Sequence, residues 1–451
     1  MRLAALAVFF ASTFASAAPS SRILLTDFTL IDGTGAAPRA HCDLLIEGGR
    51  IAAVGPTGSV RASGAAIVPL GGRFVVPGFI DLHAHVMLHA WDERGQIRPR
   101  WDRAAALELL HDLLAFGVTT IRDPGSETEA AVTLRRAIAD GRVEGPTLFT
   151  AGRMLNASPF DAEPFAPVRD ADDVRREIRW QAALGVDAIK VYSAMPPALV
   201  RVAIEEAHAH RLPVIGHLGA TTWTEAAALG IDGVEHAAPW SRAYLPKARQ
   251  AAYDGSLFGR VAWLEALDVD GPEIAAMADA LVAHDVTVDP TLIAMWTKLF
   301  GDVAARGPDL ARAPALHRAG WAAGSFTRGW TAAQYRRAHA AWPKLLALVG
   351  KLWRRGVRIT VGTDTPTPWV VPGASVHDEM ALLHDAGLPP LEVLRAATAN
   401  AARALGRGDS LGTLAPGKRA DLVVLARDPV ADIRNTRSIE RVYRGGVLVA
   451  R

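Results

Sequence analysis

Cysteine is almost missing from this chain. Cys42 is the only one among 451 residues, so no intramolecular disulfide can form. An excess of charge of one sign is missing too. Lys and Arg number 49 against 47 Asp and Glu, a net +2, and no basic tract interleaves with aromatic residues. That excludes the electrostatic footprint of a nucleic-acid partner. Hydrophobic residues make up 50% and charged residues 21%, which excludes wholesale disorder. There is no fixed-period repeat and no low-complexity segment. A chain this long suits one large α/β domain with a companion.

The apolar run at the N-terminus reads as an address. Met1-Arg2 supplies a short basic region, residues 3–14 an apolar one, and Ala15-Ser16-Ala17 a small-residue cleavage signal. Residues 1–17 are therefore expected to be a signal peptide, and the mature protein exported, periplasmic or secreted. The run is too short for an ordinary membrane span, and no cysteine follows it to accept a lipid. No stable membrane insertion is expected after cleavage.

Short alternating runs with glycines follow: ILLTDFTLIDG, DLLIEGGRIAAVG and AAIVPLGGRFVVPG. They read as β-hairpins, with Gly48-Gly49 and Gly71-Gly72 at turns. ADLVVLA and RVYRGGVLVAR repeat that texture near the C-terminus. Residues 20–76 and 410–451 are thus expected to form a composite β-sandwich domain. In the intervening residues 77–409 strand-like runs alternate with helix-period segments. The runs include Thr119-Thr120-Ile121, Thr147-Leu148-Phe149, Pro213 to Ile215, Gly233-Val234, Val286-Thr287-Val288 and Ile359-Thr360-Val361; the segments include 104–116, 171–184, 197–210 and 222–229. With a strand ending at His83 and one through Ala188 to Val191, eight strands result, the count of an α/β barrel of the (β/α)8 TIM type. Residues 294–340, carrying Trp296, Trp321 and Trp330, form an insertion too long to be structureless. Its tryptophans either pack it onto the barrel or form a lid over a pocket.

The stretch richest in chemistry is VVPGFIDLHAHV, residues 75–86, where an apolar run ends on His83-Ala84-His85. Side chains two apart on a strand share a face, so both imidazoles can converge on one ion. Further candidates end other strands: Lys190 in DAIKVY, His217 in PVIGH, His236 in DGVEH, and Asp364 after ITVGT. All sit where barrel enzymes build their sites. A lysine in an apolar strand loses charge by desolvation, and its free amine can add carbon dioxide to give a carbamate. The alternative is an ion pair between Lys190 and Asp187 or Asp364.

PGFIDLHAH, GVTTIRD, IKVY, GVEH, VGTDTP, AATANAARALG and LGTLAPGKRADLVVL together resemble the amidohydrolase superfamily over nearly the whole mature chain. Within it the chain is most similar to the two-metal, imidazolonepropionase-like and Xaa-Pro dipeptidase-like branch. The resemblance implies a distorted barrel with a composite β-sandwich. It implies two divalent metal ions, zinc by ligand type: one held by His83, His85 and Asp364, the other by His217 and His236. Carboxylated Lys190 and a hydroxide would bridge them, with Asp364 as catalytic base. One-metal deaminases of the superfamily lack the lysine and place a glutamate soon after the fifth-strand histidine, where this chain has HLGATTW. The implied activity is hydrolysis of an amide or related C–N bond in a small molecule, of dipeptide or N-acyl amino acid type. Lactone or ester hydrolysis, or a catalytically silent binding protein, are the alternatives.

Substrate contacts are less constrained. Arg153 and Asn156 stand on the third βα loop, with Arg153 a candidate carboxylate receptor or a partner of Asp161 or Glu163. Tyr192 shares the strand face of Lys190, Trp240 follows His236 by four residues, and His377 and Glu379 follow the eighth strand; each is a candidate pocket residue. Arg122 and Asp123 are expected to pair internally. The sequence leaves homo-oligomerisation open.

Overall fold

The computed structural model describes residues 22–87, 103–158 and 164–449. The expected signal peptide lies outside them. Both ends of the described chain meet in one eight-stranded sheet, which takes five strands from the N-terminal part and three from the C-terminal part. Leu422–Leu425 pairs antiparallel with Phe74–Pro77, which in turn runs parallel to Ile23–Leu30. Alternation drives this assembly: Leu25, Phe28, Leu44, Ile46, Val75, Leu422 and Val424 pack a core of their own. Gly48 and Gly49, at φ 58° and 75°, make the tight hairpin that the GG pair predicts.

Eight parallel strands follow, numbered here as barrel strands: β1 (Phe79–Asp81), β2 (Val118–Asp123), β3 (Thr147–Thr150), β4 (Ile189–Val191), β5 (Val214–Gly216), β6 (Gly233–Glu235), β7 (Thr287–Asp289) and β8 (Arg358–Ile359). β1 to β3 form one sheet, and β4 to β8 belong to a second, seven-stranded sheet that the short parallel strands Met154–Asn156 and Phe165–Pro167 extend on the β4 side. Two seams join them into a ring. The amide of Asp187 donates to Thr150 O at 2.7 Å between β3 and β4, and that of Leu82 to Val361 O at 2.9 Å between β8 and β1. The strands are short and buried along their length because helices cover the ring outside, so they read as apolar runs without alternation.

The helices start and stop on local chemistry. Asp170 caps Ala171–Leu184, and Gly185 ends it at φ 90°. Thr222 and Glu225 form a capping box on Trp223–Leu229. The insertion is helical as expected, with Leu292–Leu299, Gly301–Ala304 and Ala315–Gly324 leading into the long helix Ala332–Arg354. Its tryptophans take the packing role. Trp296 stacks on Phe300, Trp330 meets Phe258 edge-on, and buried Trp321 donates its indole N–H to Pro366 O at 2.9 Å.

Candidate metal centre

The ring opens at its C-terminal end onto a cavity of about 280 Å³ lined by His83, His85, Lys190, Tyr192, His217, His236 and Asp364. Each comes from a strand end. His83 and His85 follow β1, Lys190 lies in β4, His217 and His236 directly follow β5 and β6, and Asp364 follows β8. His236 and Asp364 sit at φ 74° and 62°, left-handed conformations that non-glycine residues seldom hold. Such backbone strain clusters at functional sites.

Asp364 Oδ1 lies 3.4 Å from His83 Nε2 and 3.6 Å from His85 Nε2. His85 Nδ1 donates to the Gly125 carbonyl at 3.0 Å. A carbonyl only accepts, so the ring proton is on Nδ1 and the Nε2 lone pair faces Asp364. His236 Nδ1 is similarly occupied, 3.0 Å from the Thr291 hydroxyl. The His217 and His236 rings lie 4.3 Å apart by centroid. Burial, reinforced by nearby cations, holds the His83, His217 and His236 rings well below the ordinary imidazole pKa, in the neutral form that metals bind.

Among the described residues, two groups of side chains offer ligand atoms within 4.8 Å of one another: His83, His85 and Asp364, and His83, Glu235 and His236. The second includes Glu235 in a place where the sequence reading expected only His217 and His236. These nitrogen and carboxylate donors fit a divalent first-row metal.

Lys190 is buried, and burial drives its ammonium pKa well below the ordinary value, with Arg122 adding to the effect. Its Nζ touches Glu235 Oε2. The ion-pair alternative thus has a different acid from those expected: Asp187 is taken by Arg135 and the Thr150 amide. Beneath the centre Arg122 donates to Leu82 O at 2.9 Å and Glu235 at 3.1 Å. Asp123 accepts instead from Ser126, Gly125 and Val86, so Arg122 and Asp123 do not form the expected pair. Burial pushes Asp289 up to about 6 and Asp81 up to about 7. Gly362 makes room for Asp289, because a Cβ there would come within 2.3 Å of its carboxylate.

Five of the residues expected to contact substrate or line the pocket lie elsewhere, and Tyr192 alone of that set lines the cavity. The Arg153 guanidinium forms a fork with Glu177 at 3.2 and 2.7 Å, 24 residues on, and rests on Trp180. It is not among the residues that line the cavity, and Asp161 and Glu163, its alternative partners, lie outside the described residues. His377 is buried between Phe116 O at 3.0 Å and Thr436 Oγ1 at 2.9 Å. Glu379 accepts from the Ile293 amide at 2.7 Å. Trp240 stands behind the cavity wall with its ring over Arg260. Asn156 accepts from the Ala194 amide and so holds the loop after β4.

The cavity has walls that the sequence reading did not name: Met154, Pro164, Phe165, Leu257, Arg260, Lys298 and Phe326. Lys298 and Phe326 come from the insertion, so the lid role falls to residues between the tryptophans. No motif surrounds them: Lys298 stands in the last turn of the helix Leu292–Leu299, and Phe326 lies in the turn that follows Ala315–Gly324.

Residues 74–449 match the amidohydrolase family model. The chain is 25% identical over 420 residues to a 5-methylthioadenosine/S-adenosylhomocysteine deaminase of Syntrophobacter fumaroxidans, covering 84% of this chain and 78% of that one. It is 26% identical over 416 residues to an imidazolonepropionase of Cereibacter sphaeroides, covering 90% and 93%. A crystal structure of a Xaa-Pro dipeptidase with methionine bound in its active site superposes with TM-score 0.71 at 20% identity, covering 95% and 99%. On its sequence match and the fold it shares, the chain belongs to the amidohydrolase family.

Proposed function

We propose that this chain is an exported, metal-dependent hydrolase cleaving an amide or related C–N bond in a small molecule of dipeptide or N-acyl amino acid type. The observation that carries the reading is the convergence of four imidazoles, Lys190 and Asp364 on one cavity at the strand ends. The named relatives include a deaminase and a dipeptidase, both hydrolases of C–N bonds. A lysine inside the barrel, with Leu218-Gly219 after His217, favours the two-metal branch over the deaminases.

His83, His85 and Asp364 would hold one ion and His217 and His236 the second, both zinc by ligand type, with carboxylated Lys190 between them. When bound, two such ions supply Lewis acidity toward water and toward the developing oxyanion. The Lys190 amine, whose ammonium form burial disfavours, forms an N–C bond to carbon dioxide as the free base and releases a proton. Glu235, in contact with Nζ, is the base on hand to receive it. Asp364 turns Oδ1 toward the imidazoles and leaves Oδ2 toward the cavity side, 3.5 Å from Lys298. Its carboxylate takes the proton of the attacking water and passes it to the leaving nitrogen, which then departs as a neutral amine. Phe165, Phe326 and Leu257 exclude water from the reacting bond.

The testing experiment is metal analysis followed by a screen of dipeptides, N-acyl amino acids and lactones on loaded and chelated protein. The reading expects amide cleavage by the loaded form alone. Turnover restricted to lactones would assign ester hydrolysis, and no turnover of any class would leave the silent binding protein.

A further inference from the structure

The cavity is lopsided in charge. Apart from Lys190, whose Nζ is taken by Glu235, two basic side chains line it, Arg260 and Lys298, with Asp364 as the single carboxylate among the described lining residues. Of the two, Lys298 is occupied, 3.5 Å from Asp364 Oδ2. Arg260 forms no ion pair among the described residues. Its Nε is buried there without a hydrogen-bond partner, an unfavourable state for a cationic donor.

Its mounting is specific. Arg260 stands on the helix Leu257–Ala266, which Ser256 caps by accepting from the Gly259 amide at 2.8 Å. Leu257, one turn earlier on the same face, lines the same cavity. The guanidinium carbon sits 5.2 Å from the centroid of Trp240, and Trp263 supports that ring edge-on at 5.2 Å. Trp263 is itself fixed by donating to Ser241 O at 2.8 Å. A guanidinium stacked on an aromatic face directs its N–H fork sideways, in the geometry that grips a carboxylate at two points. The polar neighbours that act on its charge are the phenols of Tyr253 and Tyr192.

We propose that Arg260 is the receptor for a free carboxylate on the substrate, and that the substrate is an anion whose apolar side chain packs against Phe165, Phe326 and Leu257. The assignment rests on the hydrolase reading for its chemistry and deepens it. Trp240 thereby gains a role: it holds Arg260 in place without touching the substrate.

The test uses metal-loaded, full-length protein and two probes, N-acetyl-L-phenylalanine and its C-terminal amide, titrated calorimetrically. Wild type should bind the acid at least about 10-fold more tightly than the amide. Arg260→Met should cost the acid about 10- to 100-fold while changing the amide by less than about 3-fold. Arg260→Lys, which keeps the charge and loses the fork, should recover part of the loss and guards against misfolding of the methionine variant. Equal affinity of wild type for acid and amide, or parallel losses for both probes, would overturn the proposal. The two readings fail separately. Cleavage of acyl compounds without acid-over-amide discrimination removes Arg260 alone. Discrimination lost in Arg260→Met, with no cleavage by any form, removes the hydrolase and keeps the receptor.

Discussion

His85 Nε2 and Asp364 Oδ1 lie 3.6 Å apart across the seam where the first and last barrel strands meet. The Asp364 amide donates to His83 O at 2.7 Å and that of His85 to Thr365 O at 2.8 Å, so backbone closure of the ring and assembly of the centre are one event. Asp364→Asn keeps this geometry and a weak donor atom but cannot accept a proton. It should lower kcat by at least about 10²-fold in metal-replete protein. Steady-state kinetics on a cleaved amide checks this; near-normal turnover would place the base elsewhere.

Lys190→Ala removes the stem of the proposed carbamate. Activity should vanish, and short carboxylic acids added to the medium should restore part of it by filling the gap between the metal sites. A high-resolution crystal structure of loaded wild type should show a carbamate on Nζ. A bare ammonium against Glu235, with both metals present, would refute the carbamate.

His377 should matter for stability and not for turnover, because its ring lies outside the cavity between Phe116 O and Thr436 Oγ1. Burial pushes it down to about 3 from the ordinary 6.5. Between those values the unfolded chain takes up a proton that the folded chain refuses. Stability therefore falls as pH drops from about 6.5 toward 3, by up to about 1.4 kcal/mol per pH unit. His377→Gln should cost roughly 1–3 kcal/mol near pH 7, and that deficit should shrink by pH 5. Urea unfolding of both proteins at each pH reads the difference, in which contributions of the other histidines cancel.

The sequence showed the centre more clearly than its surroundings, for a physical reason. Metal chemistry needs specific residue types at strand ends, and a two-residue alternation or a strand terminus can be read from one dimension. His83, His85, Lys190, His217, His236 and Asp364 carried that signal, and they line one cavity. Arg153 did not reach the pocket because a long guanidinium can turn either way from its loop, and Glu177, on the following helix, captured it. His377 failed for the same reason: its position after the eighth strand was legible, but its hydrogen bonds to Phe116 and Thr436 come from segments 261 and 59 residues distant. Arg260 and Lys298 had no motif around them. Glu235 was in plain view beside His236, yet only packing shows that it reaches Lys190.

Replacing His217 should separate the two proposed ions. The group of His83, His85 and Asp364 is left whole, so one ion should remain while the second is lost. Loss of both, or of neither, would mean that His217 does not belong to a distinct second site.

The most direct test of the account is metal content of the purified, saturated and desalted wild type, measured by inductively coupled plasma mass spectrometry alongside amide hydrolysis. The account predicts two divalent ions per chain, with hydrolysis lost on chelation and regained on reloading. At most one tightly held ion, or hydrolysis that survives complete removal of metal, would contradict it.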